Sequence, residues 1–419
     1  MPYNLLMARF HFRCFECGDE YPEDPQRMVC SRCTAKQESG GAVRGVLEIV
    51  LKELPSRWPH FRLSDPEFLQ VFLPIADEGS LPPLPIGDTP LLDAQRLRDE
   101  LRMPRLFVKD DTRNPSGSTK DRASLLVVAK AIDYGCDTVA TASTGNAASA
   151  LAVVTAACGL RSVVLVPSSA PPAKLVQMQS CGARVVPIDG TYDEAFELCA
   201  EACNRFGWYN RSTALNPFTI EGKKTAALEI AASMMPDHPD VVLVPTGDGV
   251  ILAGIAKGFR DLEAAGLISS RPRLIAVQPE GSSAIVRALR SGADEAQLVP
   301  AAASIADSLT VEMPRNAIGC LAEIRASNGG GVAVSDQAIL GAIPRLAGTT
   351  GVFAEPAGAA ALAGLETALD EGLVDRDERV VLMVTGGGLK DVEAASRAVG
   401  IPESIKPNLD AIAERILSS

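Results

Sequence analysis

Histidine is scarce in this chain: its 419 residues include only three, His11, His60 and His238, and these are far apart in the sequence. This scarcity argues against an enzyme that relies on histidine for proton transfer. No run of about 18 consecutive apolar residues occurs, so we expect no membrane-spanning helix. The first residues lack the long apolar segment and the cleavage site of a secretory signal, which predicts a cytoplasmic protein.

Basic residues are outnumbered, with 40 Lys and Arg against 52 Asp and Glu and a formal net charge of −12. This balance argues against nucleic acid or an anionic membrane as the main partner. Three common enzyme motifs are also missing. No G-x-G-x-x-G follows a predicted strand, no G-x-S-x-G elbow has a matching histidine, and Glu221-Gly-Lys-Lys-Thr lacks the upstream glycine of a P-loop. We therefore expect neither a Rossmann dinucleotide site, nor a P-loop, nor a serine-hydrolase centre.

Cysteine, by contrast, is concentrated at one end, because four of the ten cysteines lie within the first 33 residues. They form two C-x-x-C pairs, and two such knuckles can present four thiolates to one tetrahedral metal site. Disulfides and plain buried cysteines are the alternatives. Four thiolates leave no open position, so the spacing predicts a structural site, with zinc favoured over iron. The predicted ligands are Cys14, Cys17, Cys30 and Cys33. We expect residues 1–40 to form a zinc-ribbon-like knuckle.

The rest of the chain is predicted to be α/β. Residues 41–85 form a predicted connecting extension, because the proline-rich run from Leu81 to Pro90 is incompatible with regular helix. Short β-branched runs then alternate with helical patterns, which is typical of βαβ units and a mostly parallel sheet. The predicted strands are 105–109, 137–140, 161–166, 183–186, 241–244, 274–277 and 380–384. The predicted helices are 120–133, 146–158, 173–180, 191–206, 217–233 and 250–265.

Four polar loops lie at or near strand-to-helix junctions, where open α/β folds bind their ligands. They cover residues 114–120, 143–146, 246–249 and 385–388. Lys120 begins a predicted helix, whose positive end disfavours the ammonium form and keeps the amine reactive toward an aldehyde cofactor. Gly247 and Gly249 let backbone N–H groups converge on a phosphate at the start of the next helix. Asp248 is expected to point away from that phosphate or to cap the helix.

Five segments form a recognisable set when they are taken together. They are Asn114-Pro-Ser-Gly-Ser-Thr-Lys-Asp-Arg122, Ser143-Thr-Gly-Asn-Ala-Ala-Ser149, Glu355-Pro-Ala-Gly-Ala-Ala360, Thr385-Gly-Gly-Gly-Leu-Lys-Asp391 and Gly87-Asp-Thr-Pro-Leu91. The set resembles the threonine synthase family of fold-type II pyridoxal-phosphate enzymes. The corresponding family strings are N-P-T-G-S-F-K-D-R, S-S-G-N-T-A-A-S, E-P-A-S-A-A, T-G-H-G-L-K-D and G-x-T-P-L. Many members also carry an amino-terminal double C-x-x-C pair, so the resemblance covers nearly the whole chain.

The resemblance implies a tryptophan synthase beta-like fold with two parallel-sheet lobes. Residues 86–419 would form the catalytic core, with a smaller lobe at about 123–215. It also implies pyridoxal 5′-phosphate as cofactor, an amino-acid substrate and a homo-oligomer, most simply a dimer. Four-cysteine zinc would be structural, as the spacing itself predicts.

Roles for single residues follow from the same resemblance. Lys120 would hold the cofactor as a Schiff base and then move protons at the substrate. Asn146 would hydrogen-bond the cofactor's 3′-oxygen, and Thr385 would face its pyridine nitrogen. The residues that would line the cofactor phosphate are Gly247, Asp248, Gly249 and Val250. The residues that would contact the substrate are Ser143, Thr144, Lys174 and Thr219.

The chain departs from the family pattern in the predicted substrate pocket. The family's Asn-Pro-His-Arg segment, whose arginine grips the phosphate of O-phosphohomoserine, is Asn216-Pro-Phe-Thr219 here. Threonine cannot form a bidentate ion pair with a phosphate. Lys174 sits where the family has a substrate-phosphate lysine, so an anionic leaving group remains compatible with the sequence.

Three functions are therefore compatible with the sequence. The first is a threonine synthase-like reaction that converts O-phosphohomoserine, or a close analogue, to threonine and phosphate. The second is β-elimination or β-replacement, as in a serine/threonine or diaminopropionate ammonia-lyase or a phosphoserine-using cysteate synthase. The third is a non-catalytic metal-binding adaptor, which the intact Lys120, Asn146 and Thr385 disfavour.

Overall fold

The computed structural model describes residues 9–38, 40–59, 65–170 and 172–417. His60 lies outside the described residues. Lys174 belongs to a described helix, but its side chain, a predicted substrate contact, also lies outside the described part. No helix within these ranges is long and apolar enough to cross a membrane.

The elements alternate between strands and helices along most of the chain. The strands are β1 (Phe10–Cys14), β2 (Glu20–Tyr21), β3 (Leu47–Leu51), β4 (Leu91–Asp93), β5 (Leu106–Asp110), β6 (Thr138–Ala142), β7 (Arg161–Pro167), β8 (Arg184–Ile188), β9 (Tyr209–Asn210), β10 (Val241–Pro245), β11 (Arg273–Pro279), β12 (Gly330–Val334) and β13 (Val380–Val384). The helices are α1 (Ser31–Thr34), α2 (Pro66–Phe72), α3 (Gln95–Leu101), α4 (Lys120–Asp133), α5 (Asn146–Cys158), α6 (Pro172–Ser180), α7 (Tyr192–Phe206), α8 (Phe218–Lys223), α9 (Thr225–Ser233), α10 (Val250–Ala264), α11 (Ala284–Ser291), α12 (Ala317–Ala326), α13 (Asp336–Thr350), α14 (Pro356–Asp370), α15 (Val392–Val399) and α16 (Leu409–Leu417).

The amino-terminal sheet is antiparallel and has the strand order β2-β1-β3. Alternate residues of β1 are buried, which is the two-residue period of a strand with one covered face. β3 pairs with β1 along its full length, with Leu51 opposite Phe10 and Leu47 opposite Cys14. This sheet therefore extends past residue 40, where the sequence predicts that the knuckle ends. The predicted extension supplies its third strand because β1 and β3 pair across a long stretch of chain, which local patterns do not reveal.

Two parallel sheets form the remainder, and the α/β fold class with two parallel sheets is confirmed. The larger sheet has the order β12-β11-β10-β13-β5-β4, and only its edge strand β4 runs antiparallel. The smaller sheet has the order β8-β7-β6-β9 and is parallel throughout. The central strands β10 and β13 are buried along their whole length, as strands covered by helices on both faces are.

The sequence locates several elements well and misses others. α4 and α5 begin and end where the sequence predicts. The predicted helix 217–233 is two short helices, α8 and α9, with Lys224 at the junction. β12, whose sequence Gly-Gly-Val-Ala-Val starts with two weak strand formers, was not predicted, and neither was the three-residue β4.

Aromatic packing joins the amino-terminal sheet to the parallel-sheet core. The ring of Phe218 in α8 meets Phe10 at 5.8 Å and Phe12 at 6.0 Å between centroids, both edge to face. All three side chains belong to one large cluster of buried apolar residues that also includes α4, α9 and α10. The sheet that carries Cys14 is therefore packed into the main core of the protein.

Candidate active site

Two adjoining cavities lie where loops leave the carboxyl ends of the parallel strands, the position at which open α/β folds bind ligands. The first has a volume of about 760 Å³. Most of the predicted site residues line it: Lys120, Ser143, Thr144, Asn146, Gly247, Asp248, Gly249 and Val250. The second has a volume of about 700 Å³ and shares with it the loop from Thr144 to Asn146. The sequence-predicted loops 114–120, 143–146 and 246–249 are thus brought together.

Lys120 is the first residue of α4, so the helix start predicted from the sequence is confirmed. The turn before it is tied to the end of β13, because the Thr119 N–H donates to the Thr385 carbonyl at 2.9 Å. Burial lowers the pKa of Lys120 from its ordinary value to about 8, and the nearby Arg211 lowers it further while Glu355 and Asp248 oppose the shift. About a tenth of such an amine is neutral at pH 7, far more than for an ordinary lysine.

Asn146 is the first residue of α5, and its side-chain amide is held in place from another element. Its Nδ2 donates to Glu355 Oε1 at 2.8 Å and to Ser308 Oγ at 3.3 Å. Glu355 is buried at the start of α14, and burial raises the pKa of its carboxyl. The sequence marks Glu355 only as the first residue of a matched motif, and the contact with Asn146 depends on the fold.

The loop between β10 and α10 requires glycine for two physical reasons. Gly249 has φ of +82°, and a Cβ there would lie 2.7 Å from the Cβ of Cys320. A Cβ on Gly247 would lie 3.0 Å from the Ser308 carbonyl oxygen. The loop opens a 15-residue helix, whose amino-terminal N–H groups and dipole favour an anion. The backbone here has the properties of a phosphate cradle.

Asp248 does not cap α10. Its Oδ1 accepts the Arg315 N–H at 3.0 Å, and its carbonyl accepts the Asn316 N–H at 2.9 Å. The side chain is therefore turned toward the segment before α12, which is one of the two alternatives expected for a carboxylate beside an anion site. Burial raises the pKa of Asp248, so its negative charge is disfavoured there.

Two predicted residues are not brought to the cavity walls. Thr219 is buried in α8, and its hydroxyl donates to the Asn216 carbonyl at 2.7 Å instead of facing either cavity. Thr385 is buried at the end of β13, behind the turn that carries Lys120. Two cations that sequence reasoning missed, Lys223 and Arg211, are buried close to Lys120.

The four amino-terminal cysteines converge, with all their Sγ atoms within 4.8 Å of one another. Cys14 and Cys33 are 3.8 Å apart at sulfur, and Cys17 and Cys30 are 3.6 Å apart. Four sulfurs bound tetrahedrally to zinc at about 2.3 Å are about 3.8 Å from one another. The cluster thus fits a zinc ion. The segment after it reaches the first cavity, which Gly40 and Gly41 help to line.

Comparison with known proteins identifies the family. The family model for "Pyridoxal-phosphate dependent enzyme" matches residues 83–386. This chain belongs to that family. The threonine synthases of Methanosarcina acetivorans and Methanocaldococcus jannaschii are each 35% identical to it over 413 residues, which is 97% of this chain and 98% of those proteins.

Solved structures agree with this family at the level of fold. A threonine deaminase from T.th. is 27% identical, with a TM-score of 0.60 over 71% of this chain and 92% of that one. A diaminopropionate ammonia-lyase from Escherichia coli is 20% identical, with a TM-score of 0.63 over 75% of this chain and 88% of that one. The resemblance drawn from the motifs is confirmed: the protein is a threonine synthase-like, pyridoxal-phosphate-dependent lyase of fold type II. The glycine loop and the low-pKa lysine in one cavity fit its cofactor.

Proposed function

We propose that this enzyme converts O-phosphohomoserine and water to threonine and inorganic phosphate. One observation carries the proposal: Lys120, with its lowered pKa, shares a cavity with a glycine loop suited to a phosphate. Similarity to two threonine synthases over nearly the full chain supports the same reaction. In that reaction the Cγ–O bond to phosphate breaks, and water adds at Cβ.

The proposed role of Lys120 is to hold the cofactor and to carry a proton to and from the substrate carbons. Pyridoxal phosphate, when bound, supplies an electron sink for the charge that develops at the α-carbon. A lysine with a pKa of about 8 exchanges protons near neutral pH, which suits it to this work.

The remaining roles are proposals that follow from position. Asn146 is oriented by Glu355, and its longer contact, 3.3 Å to Ser308 Oγ, is the one that would be exchanged for the cofactor's 3′-oxygen. Ser143 and Thr144 precede α5, where hydroxyls and free N–H groups suit the substrate carboxylate. The residues from Gly247 to Val250 would hold the cofactor phosphate. Two further roles rest on the family resemblance and not on position: Thr385, which lines neither cavity, would face the pyridine nitrogen, and Lys174 would meet an anionic group of the substrate.

The metal, the oligomeric state, the compartment and the domain bounds belong to the same proposal. We propose one structural Zn²⁺ on Cys14, Cys17, Cys30 and Cys33, because the sulfur spacing suits it. We also propose a cytoplasmic homodimer, and a catalytic core at 86–419 whose smaller lobe covers about 123–215. The smaller parallel sheet, from Thr138 to Asn210, supports this division.

A β-elimination or β-replacement reaction is the second candidate. Thr219 offers no cation where the family has its phosphate-binding arginine, and its hydroxyl is committed to the Asn216 carbonyl. That loss favours a substrate whose binding does not depend on that arginine, such as serine, threonine, diaminopropionate or O-phosphoserine.

A substrate panel tests the proposal. The holoenzyme is given O-phosphohomoserine, O-phosphoserine, threonine, serine and diaminopropionate, and threonine, phosphate, ammonia and keto acids are measured. We expect threonine and phosphate in equal amounts from O-phosphohomoserine, and none with Lys120→Ala. Ammonia and keto acid from another substrate, without threonine from O-phosphohomoserine, would favour the second candidate. If the wild type with added pyridoxal phosphate shows no absorbance band of lysine-bound cofactor, and Lys120→Ala gives the same spectrum, the non-catalytic adaptor is favoured.

A further inference from the structure

We propose that Lys223 binds a phosphate group in the first cavity, with the positive charge of Arg211 beside it, and that the two supply the charge that Thr219 lacks. The inference rests on the proposed function insofar as it gives the substrate a phosphoryl group. The phosphate can come from two sources, the cofactor's 5′-phosphate or the substrate's phosphoryl group, and the experiment below separates them.

Lys223 is placed to reach the cavity. It lies one helical turn after Thr219 in α8, is almost fully buried, and lines the cavity together with Lys120 and the glycine loop. Its base packs against α10, since a Cβ on Gly254 would lie 2.6 Å from the Cβ of Lys223. Gly254 lies one turn after the start of α10, so Lys223 lies beside the glycine loop that precedes this helix.

No carboxylate among the described residues pairs with Lys223. Its Nζ donates to the Thr219 carbonyl at 3.1 Å, and its other hydrogens have no acceptor in the described part of the chain. The next lysine is a useful contrast: Lys224 is equally buried but pairs with Glu221 and, at 2.8 Å, with Asp261. Most buried lysines need such a partner, because a buried charge without one is costly.

Arg211 is a second buried cation without a carboxylate partner among the described residues, and it lies behind Thr213 instead of lining the cavity itself. Its Nε and Nη1 make long contacts with hydroxyls, at 3.4 Å to Ser124 Oγ and 3.3 Å to Thr213 Oγ1. Its buried Nη2 has no hydrogen-bond partner in the described part of the protein. Thr213 itself lines the cavity. By contrast, the buried Arg122 is held by Asp111 at 2.7 Å and by Glu229.

The electrostatics point to an anionic ligand. Burial lowers the pKa of Lys223 well below its ordinary value, and the positive charges of Arg211 and Lys120 lower it further. Burial likewise lowers the pKa of Arg211 to about 10. Among the described residues, Asp248 is the carboxylate that opposes these shifts at Lys223, and it already accepts the Arg315 N–H. A phosphate dianion would balance the group and accept the free N–H donors.

Lys223→Met is the main test variant, because methionine keeps the length and removes the charge. The apo-protein is titrated with pyridoxal phosphate and with pyridoxal, and the holoenzyme is titrated calorimetrically with inorganic phosphate. Lys223→Arg should preserve each affinity to within a few-fold. Arg211→Met should lower the affinity for the same ligand as Lys223→Met does.

The two sources give different results. If the ligand is the cofactor's phosphate, Lys223→Met lowers the affinity of the apo-protein for pyridoxal phosphate at least about tenfold and leaves its affinity for pyridoxal unchanged. If it is the substrate's phosphoryl group, cofactor affinity is unchanged and inorganic phosphate binds the holoenzyme at least about tenfold more weakly. In that case KM for O-phosphohomoserine rises with little change in kcat. Unchanged affinity for all three ligands in both methionine variants overturns the proposal.

Thermal unfolding supplies a readout independent of activity. Replacing a buried amine that lacks polar partners by an apolar side chain should raise the unfolding temperature of the phosphate-free apo-protein, and the stabilisation by added phosphate should shrink. Lys257→Gln is the matched control: Lys257 is a buried lysine paired with Asp261, so its loss should lower stability without changing phosphate affinity. A wild type that makes no threonine, with phosphate binding that still depends on Lys223, would refute the proposed function and leave this site standing.

Discussion

Lys120 combines two properties that a cofactor-binding lysine needs, a fixed position and a proton that leaves easily. Its position is set by the first turn of α4 and by the hydrogen bond that ties the preceding residue, Thr119, to Thr385 after β13. Its low pKa comes first from burial, and Glu355, Arg211, Asp248 and Lys390 are the charged groups around it. Glu355 and Asp248 raise its pKa, whereas Arg211 and Lys390 lower it, so the pKa stays near neutral pH.

A pH dependence of cofactor capture follows. The neutral amine is the reactive form, and its fraction falls as pH falls below the pKa of about 8. The initial rate at which the apo-protein binds pyridoxal phosphate should therefore rise about tenfold per pH unit up to about pH 8 and then level off. Stopped-flow absorbance measures this rate, and Lys120→Ala gives the baseline. A rate that keeps rising to about pH 10, as for an ordinary lysine, would contradict the lowered pKa.

For single residues, the sequence predicts those whose position depends on nearby residues in the chain. Lys120 and Asn146 each begin a helix after a polar loop, and these positions were predictable from short strings. Lys223, Arg211 and Glu355 were assigned no role, because their importance depends on neighbours far away in sequence. Thr219 is the reverse case: the motif predicted a substrate contact, but its hydroxyl donates to the Asn216 carbonyl just before its own helix.

The element that connects the parts of the site is α8. Phe218 at its start packs on the amino-terminal sheet, and Lys223 at its end lines the first cavity. The helix also lies close to α4, since a Cβ on Gly222 would overlap the Arg122 carbonyl oxygen. A six-residue helix therefore touches the amino-terminal sheet, the cavity and the helix of Lys120.

The loop before α10 allows a sharp test of the phosphate cradle. Gly249→Ala imposes a left-handed backbone on a non-glycine residue and also places a Cβ 2.7 Å from that of Cys320. We expect a loss of about 1–2 kcal/mol from the backbone alone, more from the clash, and weaker pyridoxal-phosphate binding. Denaturant unfolding and cofactor titration measure the two effects.

Gly266→Ala is the control for that experiment. Gly266 also has a positive φ, +70°, but a Cβ there has no neighbour within 4 Å. This variant should show the backbone loss without a change in cofactor affinity. Equal cofactor affinity in both variants would mean that the loop is not the cradle.

Elements were predictable where the pattern is local. Buried β-branched strands followed by long helices give a clear period, and so α4, α5 and β13 have the predicted bounds. β3 lies in a segment predicted to be a connection, and it becomes a strand through pairing with β1. The break between α8 and α9 occurs at Lys224, whose backbone stays helical, so no breaker residue marks it in the sequence.

For the whole molecule, the amino-terminal sheet and the catalytic core form one packed unit. Glu48 in β3 forms ion pairs with Arg13 in β1 and with Arg260 in α10, and Arg44 pairs with Glu295 at 2.6 Å. These contacts add to the aromatic cluster around Phe218. The two parts should therefore unfold together, in contrast to a knuckle attached by a flexible linker.

Metal removal tests this coupling. Purified protein should contain about one zinc per chain, and stripping it with a strong chelator should lower the unfolding temperature of the whole protein in one transition. Cys14→Ser should have the same effect, whereas Cys158→Ser, outside the cluster, should not. Two separate transitions, with the upper one unmoved by the chelator, would show that the core is independent of the knuckle.

The hydrogen bond from the Val43 N–H to the Arg315 carbonyl, 2.9 Å long, has a consequence for engineering this enzyme. It fastens the segment of Gly40 and Gly41 to the rim of the first cavity. Trimming the gene to begin at residue 86 would therefore delete part of the cavity wall along with the cysteines. Randomising residues 40–44 in a directed-evolution library would instead change this part of the cavity wall while sparing Lys120, Asn146 and the glycine loop.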